Sequence, residues 1–146
     1  MIEKKWMPIK IRAEDDADLQ VFSQCLYEAI VLPSEVYFNR EKKQFAMAIE
    51  RFTWEISEGK DSQLRKVLAI LCFYNVNLVD IKVNDKSKAS LLSIETLVYD
   101  KKNFILIFDN KKLINIKINK LYCTLEDIGK PVWPAVVPVH LKKYSK

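Results

Sequence analysis

Residues 35–56 read "EVYFNREKKQFAMAIERFTWEI", and their period sets the fold class. Apolar side chains recur at every second position, the repeat of a half-buried strand and not of a helix. The stretch predicts a hairpin: a strand over 35–39, a polar turn at Arg40–Lys43, and a second strand over 44–56. Phe45, Met47 and Ile49 share one face, after which Phe52, Trp54 and Ile56 carry the alternation in the opposite phase. A slip of one residue at Glu50–Arg51 predicts a β-bulge. Bulges re-aim neighbouring side chains, which marks Arg51 and Glu55 as candidates for a site.

Upstream, "WMPIKIR" (6–12) predicts a short strand with Ile9 and Ile11 on one face and Pro8 at its start. In "AEDDADLQVFSQCLYEAIVLP" (13–33), Leu19, Phe22, Leu26 and Ala29 or Ile30 fall at helical spacing. Asp15 is the expected N-cap, Asp18 suits the positive helix end, and Pro33 closes the segment. Downstream, "LRKVLAILCFYN" is apolar in both phases and predicts a central strand covered on both faces. "LVDIKV", "SLLSIETLVY", "FILIF" and "LINIKIN" follow as strands joined by short polar turns, and a second bulge is expected after Lys120. The sum is an α+β domain: a mainly antiparallel β meander of seven or eight strands, a strongly bent sheet or partly closed barrel, with one N-terminal helix packed on it.

A chain of 146 residues with 49% hydrophobic and 29% charged residues suits one globular domain, 1–146. Its core is expected over about 6–128, with a proline-rich strap over 129–146. No apolar run reaches membrane-spanning length and no secretory pattern opens the chain. Three scattered cysteines, Cys25, Cys72 and Cys123, read as reduced thiols of an apolar core, so a cytoplasmic location is expected. Residues 1–60 carry 9 Lys/Arg against 11 Asp/Glu, while 61–146 carry 15 against 8. Only four of the basic residues are arginines, so a dedicated nucleic-acid reader is not expected.

Two glycines, neither in a phosphate-loop spacing, argue against nucleotide chemistry, and a lone histidine against a metal site; no cofactor is expected. Carboxylates remain as candidates. Glu55 beside Trp54, and Glu126 with Asp127, could form an acid-base pair near His140 if strand ends converge. The plainer expectation is that Glu126 and Asp127 cap a turn, Gly129 takes a positive φ, and Glu55 pairs with Arg51 or faces solvent. In a consecutive meander the turns at 84–89 and 109–112 share one end, gathering Lys86, Lys88, Lys111 and Lys112; they read as solvated. Trp133, between prolines, is expected near the surface.

Three segments together carry a resemblance: "AEDDADLQVFSQCLYEAIV", "NREKKQFAMAIERFTWE", and "LEDIGKPVWP" followed by "PVH". They resemble an alphaproteobacterial family, domain of unknown function 2948, in its acidic helix entry, its "NRF.WE" strand and its "LEDLG..W" motif. Glu50 stands where that family has asparagine, Val132 is an extra residue before Trp133, and "AVVPV" replaces the arginines of its tail. The resemblance implies a bacterial cytoplasmic protein and brings no activity. It singles out Arg51, Phe52, Trp54, Glu55, Leu125, Glu126, Asp127, Gly129, Trp133 and His140.

The function expected is a non-enzymatic binding or protein-interaction module. Arg51, Trp54, Glu55, Glu126, Asp127, Trp133 and His140 are its candidate binding residues, and the strap is the contact for a second copy or a protein partner. The alternatives are a small enzyme using carboxylate acid-base groups and lysine-mediated nucleic-acid binding.

Overall fold

A computed structural model describes residues 7–57, 64–82, 92–109 and 112–129. Nine strands and two helical segments follow one another as β1 (Lys10–Ala13), α1 (Asp16–Leu26), β2 (Ile30–Asn39), β3 (Gln44–Phe52), α2 (Trp54–Ser57), β4 (Lys66–Phe73), β5 (Val76–Lys82), β6 (Leu92–Tyr99), β7 (Asn103–Phe108), β8 (Leu113–Ile118) and β9 (Cys123–Asp127). They form one antiparallel sheet in the order β1-β9-β4-β3-β2-β6-β7-β8-β5. The sheet is strongly bent and not closed. Its bend lies at β2, which pairs with β3 over both its ends but with β6 only through Ile30↔Ser93 and Val31↔Leu92.

That bend turns the inward faces of the two halves toward each other. Phe73 on β4 meets Phe104 on β7 with ring centroids 4.7 Å apart, and Phe45 stacks behind Phe73 at 6.4 Å. The helix starts as expected: the Asp15 side chain accepts from the Asp18 backbone N–H at 2.9 Å, and Leu19, Phe22, Cys25 and Leu26 are buried. It ends earlier than Pro33, because Glu28 takes a left-handed φ of 66° and turns the chain into β2. Pro33 instead lies inside β2, where the register with β3 shifts between Val31 and Val36; a residue without an N–H fits that unpaired stretch.

Several expectations are corrected. No bulge interrupts Glu50–Arg51: β3 and β4 stay in continuous register from Phe45↔Phe73 to Phe52↔Lys66. The strand ends at Phe52, not at 56, and a helical turn follows. No second bulge follows Lys120, because residues 119–122 are the connection between β8 and β9. β4 is not covered on both faces; its burial alternates, with Leu68 39% exposed. Cys25 and Cys123 are buried, but Cys72 lies on the half-covered outer face. The meander is not consecutive either. β5 pairs with β8 and not with β6, although Lys82 and Leu92 still lie at the same end of the sheet as Phe108 and Leu113. Lys86, Lys88 and Lys111 lie outside the described residues, as do Trp133, His140 and the strap from 130 onward.

Candidate functional site

Arg51 continues the inward row of Phe45, Met47 and Ile49, so the phase that looked like a slip is a charged side chain aimed into the core. Across the ladder, Ile49 sits opposite Ala69 and Ala69 opposite Asp127. Arg51 and Asp127 are therefore two strands apart, a gap of about 10 Å at ordinary strand spacing. The short Ala69 side chain between them leaves room for a long one to cross. Arginine crosses it, and at 0% exposure Arg51 is the largest fully buried side chain among the described residues.

All five guanidinium donors are used. Nε donates to Asp127 Oδ1 at 2.8 Å and Nη2 to Asp127 Oδ2 at 2.8 Å. Nη1 donates to Glu55 Oε1 at 2.9 Å and Nη2 also to Glu55 Oε2 at 2.8 Å. The fifth bond runs from Nη1 to the Phe52 carbonyl at 3.1 Å. Glu55 reaches this position because the chain turns helical after β3, which places it four residues on. Asp127 Oδ2 also accepts from the Ile9 backbone N–H at 2.9 Å, and the Asp127 N–H donates to the Ile9 carbonyl at 2.8 Å. Burial works against the Arg51 charge, but the bonds to Asp127 and Glu55 outweigh it and hold the guanidinium pKa above its ordinary value. One cation with two carboxylates leaves the cluster with a formal charge of −1.

Through Glu55 this cluster reaches the wall of a groove of about 690 Å³ between β1, α1 and α2, lined also by Ile9, Ile11, Val21, Tyr27 and Trp54 among others. Trp54 is anchored at its wall: its indole N–H donates to the Tyr27 carbonyl at 2.7 Å, and its ring lies 5.8 Å from those of Tyr27 and Phe52. Glu55 keeps 32% of its side chain exposed, whereas Asp127 is sealed at 0%. Cys25 also borders the groove, but burial pushes its thiol pKa up more than nearby Arg51 lowers it, so it stays a protonated, weak nucleophile.

The structure thus brings together Arg51, Trp54, Glu55 and Asp127, and separates Glu126 from them. Adjacent strand residues point to opposite faces. Glu126 is exposed on the outer face of β9, beside Lys10, Arg12, Tyr74 and Tyr122. Glu55 and Glu126 line different cavities and Asp127 lines neither of these two, while His140 lies outside the described residues. The turn expectation is also corrected: Glu126 and Asp127 belong to a strand, and Gly129 does not take a positive φ. Gly129 instead fits closely against β4, where a Cβ would stand 3.3 Å from that of Leu68. Val21 and Tyr27 were not anticipated. The signal was present in Val21, an apolar residue off the buried face of α1 and 51% exposed.

Among the described residues, no group of His, Cys, Asp and Glu is arranged to hold a metal, and no helix is long and apolar enough to cross a membrane. No curated protein and no solved structure matches the chain. A family model does match, over residues 9–140, a span holding β1 with its Ile9 anchor and all three residues of the buried cluster. The chain belongs to the family described as Protein of unknown function (DUF2948).

Proposed function

We propose that the protein is a non-enzymatic interaction module whose groove beside Trp54 receives an apolar peptide segment of a protein partner, with a basic residue set against Glu55. The observation that carries this reading is the groove itself, lined mainly by apolar residues and carrying on its wall the part-exposed carboxylate of Glu55, a member of a cluster of formal charge −1. Pockets of several hundred Å³ with a few convergent polar groups are the usual form of a binding site. The helix wall adds no cation: α1 carries Asp16 and Asp18 and no basic residue in its last turn. A basic partner residue therefore meets a field of favourable sign.

Selection from a displayed peptide library tests the reading, with Val21→Glu as the counter-target. Val21 is half exposed, so the variant keeps its fold while placing a charge in the groove. The expected outcome is a set of apolar peptides with a basic residue that bind the wild type and not the variant. Peptides that bind both proteins equally, or no enrichment at all, would overturn the assignment.

A further inference from the structure

The groove is bounded on one side by a sheet edge. β1 is an outermost strand, paired with β9 along one edge. β9 and its flanking residues turn their even-numbered backbone groups toward β4: Tyr74 N–H donates to the Tyr122 carbonyl and Ile128 N–H to the Leu68 carbonyl, both at 2.9 Å. The odd-numbered ones turn toward β1, as in the bond from Asp127 N–H to the Ile9 carbonyl at 2.8 Å. Antiparallel pairs alternate between bonded and non-bonded, so Ile9, Ile11 and Ala13 face β9, while Lys10 and Arg12 aim their N–H and C=O groups off the sheet. Among the described residues, no backbone bond meets them there. A cleft runs along each face of this strand. The groove of about 690 Å³ lies inward and a polar cleft of about 580 Å³ lies outward, and Ile11 borders both. An open edge with side-chain pockets on both faces is a template for an added strand.

We propose, resting on the reading of the groove as a peptide site, that the partner segment adds to β1 as an antiparallel strand along residues 8–13. Directly opposed residues of two paired strands share a face. Positions opposite Ile9 and Ile11 therefore face the groove, and positions opposite Lys10 and Arg12 face the outer cleft. An apolar side chain fits opposite Ile11, in the groove that Val21 also lines. Ile9 is tied through Asp127 to Arg51 and Glu55, so the position opposite Ile9 takes the basic residue. The outer positions take acids. Lys10 and Arg12 are exposed, and among the described residues no ion pair joins Lys10 to Glu126 across the ladder. Arg12 meets Glu14 only at 3.6 Å, with side chains 68% and 49% exposed, a pair that water screens. From its N-terminus the segment reads acidic, apolar, acidic, basic, opposite Arg12, Ile11, Lys10 and Ile9 in turn.

Fluorescence anisotropy on the full chain, with a labelled peptide Val-Glu-Val-Glu-Arg-Ser, tests the mode of binding. N-methylation of either glutamate removes an N–H that donates to β1 and should raise the dissociation constant about tenfold or more. N-methylation of the central valine, whose N–H points away from β1, should change it by less than about twofold. Arg12→Glu should weaken binding about fivefold, and lysine in place of the first peptide glutamate should restore it. Equal effects at all three N-methyl sites, with binding still lost in Val21→Glu, would overturn strand addition and leave the groove reading intact. No binding of this peptide, beside library peptides that do depend on Val21, would have the same meaning. Binding that ignores Val21→Glu would overturn both.

Discussion

At Arg51 a guanidinium removed from water is matched donor for donor: two carboxylates and one carbonyl take its five N–H groups. Burying a charge costs several kcal/mol, which the pairing offsets only while every partner is present. Asp127→Ala leaves Nε and part of Nη2 without acceptors inside the core. A loss of about 3–5 kcal/mol in urea unfolding is expected; a loss below about 1 kcal/mol would mean that water already reaches the guanidinium. Lysine could not substitute, having one charged tip and no fork to span two carboxylates. A second residue sets a pH dependence. Burial pushes the Cys123 thiol up to about 12 from an ordinary 9.0, against a smaller lowering by the Ala13 backbone. Between those values the unfolded chain gives up the proton that the folded chain keeps. This contribution is full below pH 9 and is lost as pH rises toward 12, at up to about 1.4 kcal/mol per pH unit. Urea midpoints measured across that range should fall less steeply in Cys123→Val, with some slope left from Cys25, whose thiol burial also raises.

At the scale of elements, the site is a consequence of where three of them end. β3 stops at Phe52, and one helical turn then swings Glu55 back toward Arg51. β9 ends on Asp127, and β1 begins beside it through the paired Ile9 bonds. α1 closes the space above, its C-terminal Tyr27 carbonyl taking the Trp54 indole. The N-cap at Asp15, the buried stripe of α1 and the β2–β3 hairpin were legible in the sequence, because each depends on neighbours within a few residues. Arg51 was not. Alternation marks only apolar residues as inward, so an inward charge reads as a break in phase. A register shift does occur, but on β2 between Val31 and Val36, the stretch that contains Pro33.

For the whole molecule, the bend at β2 makes one core out of two sheet halves, with Phe73 against Phe104 as its closest aromatic contact. Both halves should therefore unfold together. Phe104→Ala is expected to cost about 3–5 kcal/mol, with the tryptophan fluorescence and far-UV circular dichroism transitions still coincident; separate midpoints would show two independent halves. By itself the sequence determined the class, a mainly antiparallel sheet with one capped helix, because alternation and capping are local properties of the chain. It also marked Arg51, Trp54, Glu55 and Asp127 as candidates, together with Glu126, Trp133 and His140, through motif likeness and composition. Only the tertiary structure decided that Asp127 and not Glu126 completes the cluster, that β5 lies at an edge beside β8, and that Trp54 walls a groove. Those outcomes rest on pairings between residues as far apart as Arg51 and Asp127, 76 positions along the chain. Strand register fixes which of two adjacent carboxylates faces inward, and no local pattern encodes which distant strand supplies that register.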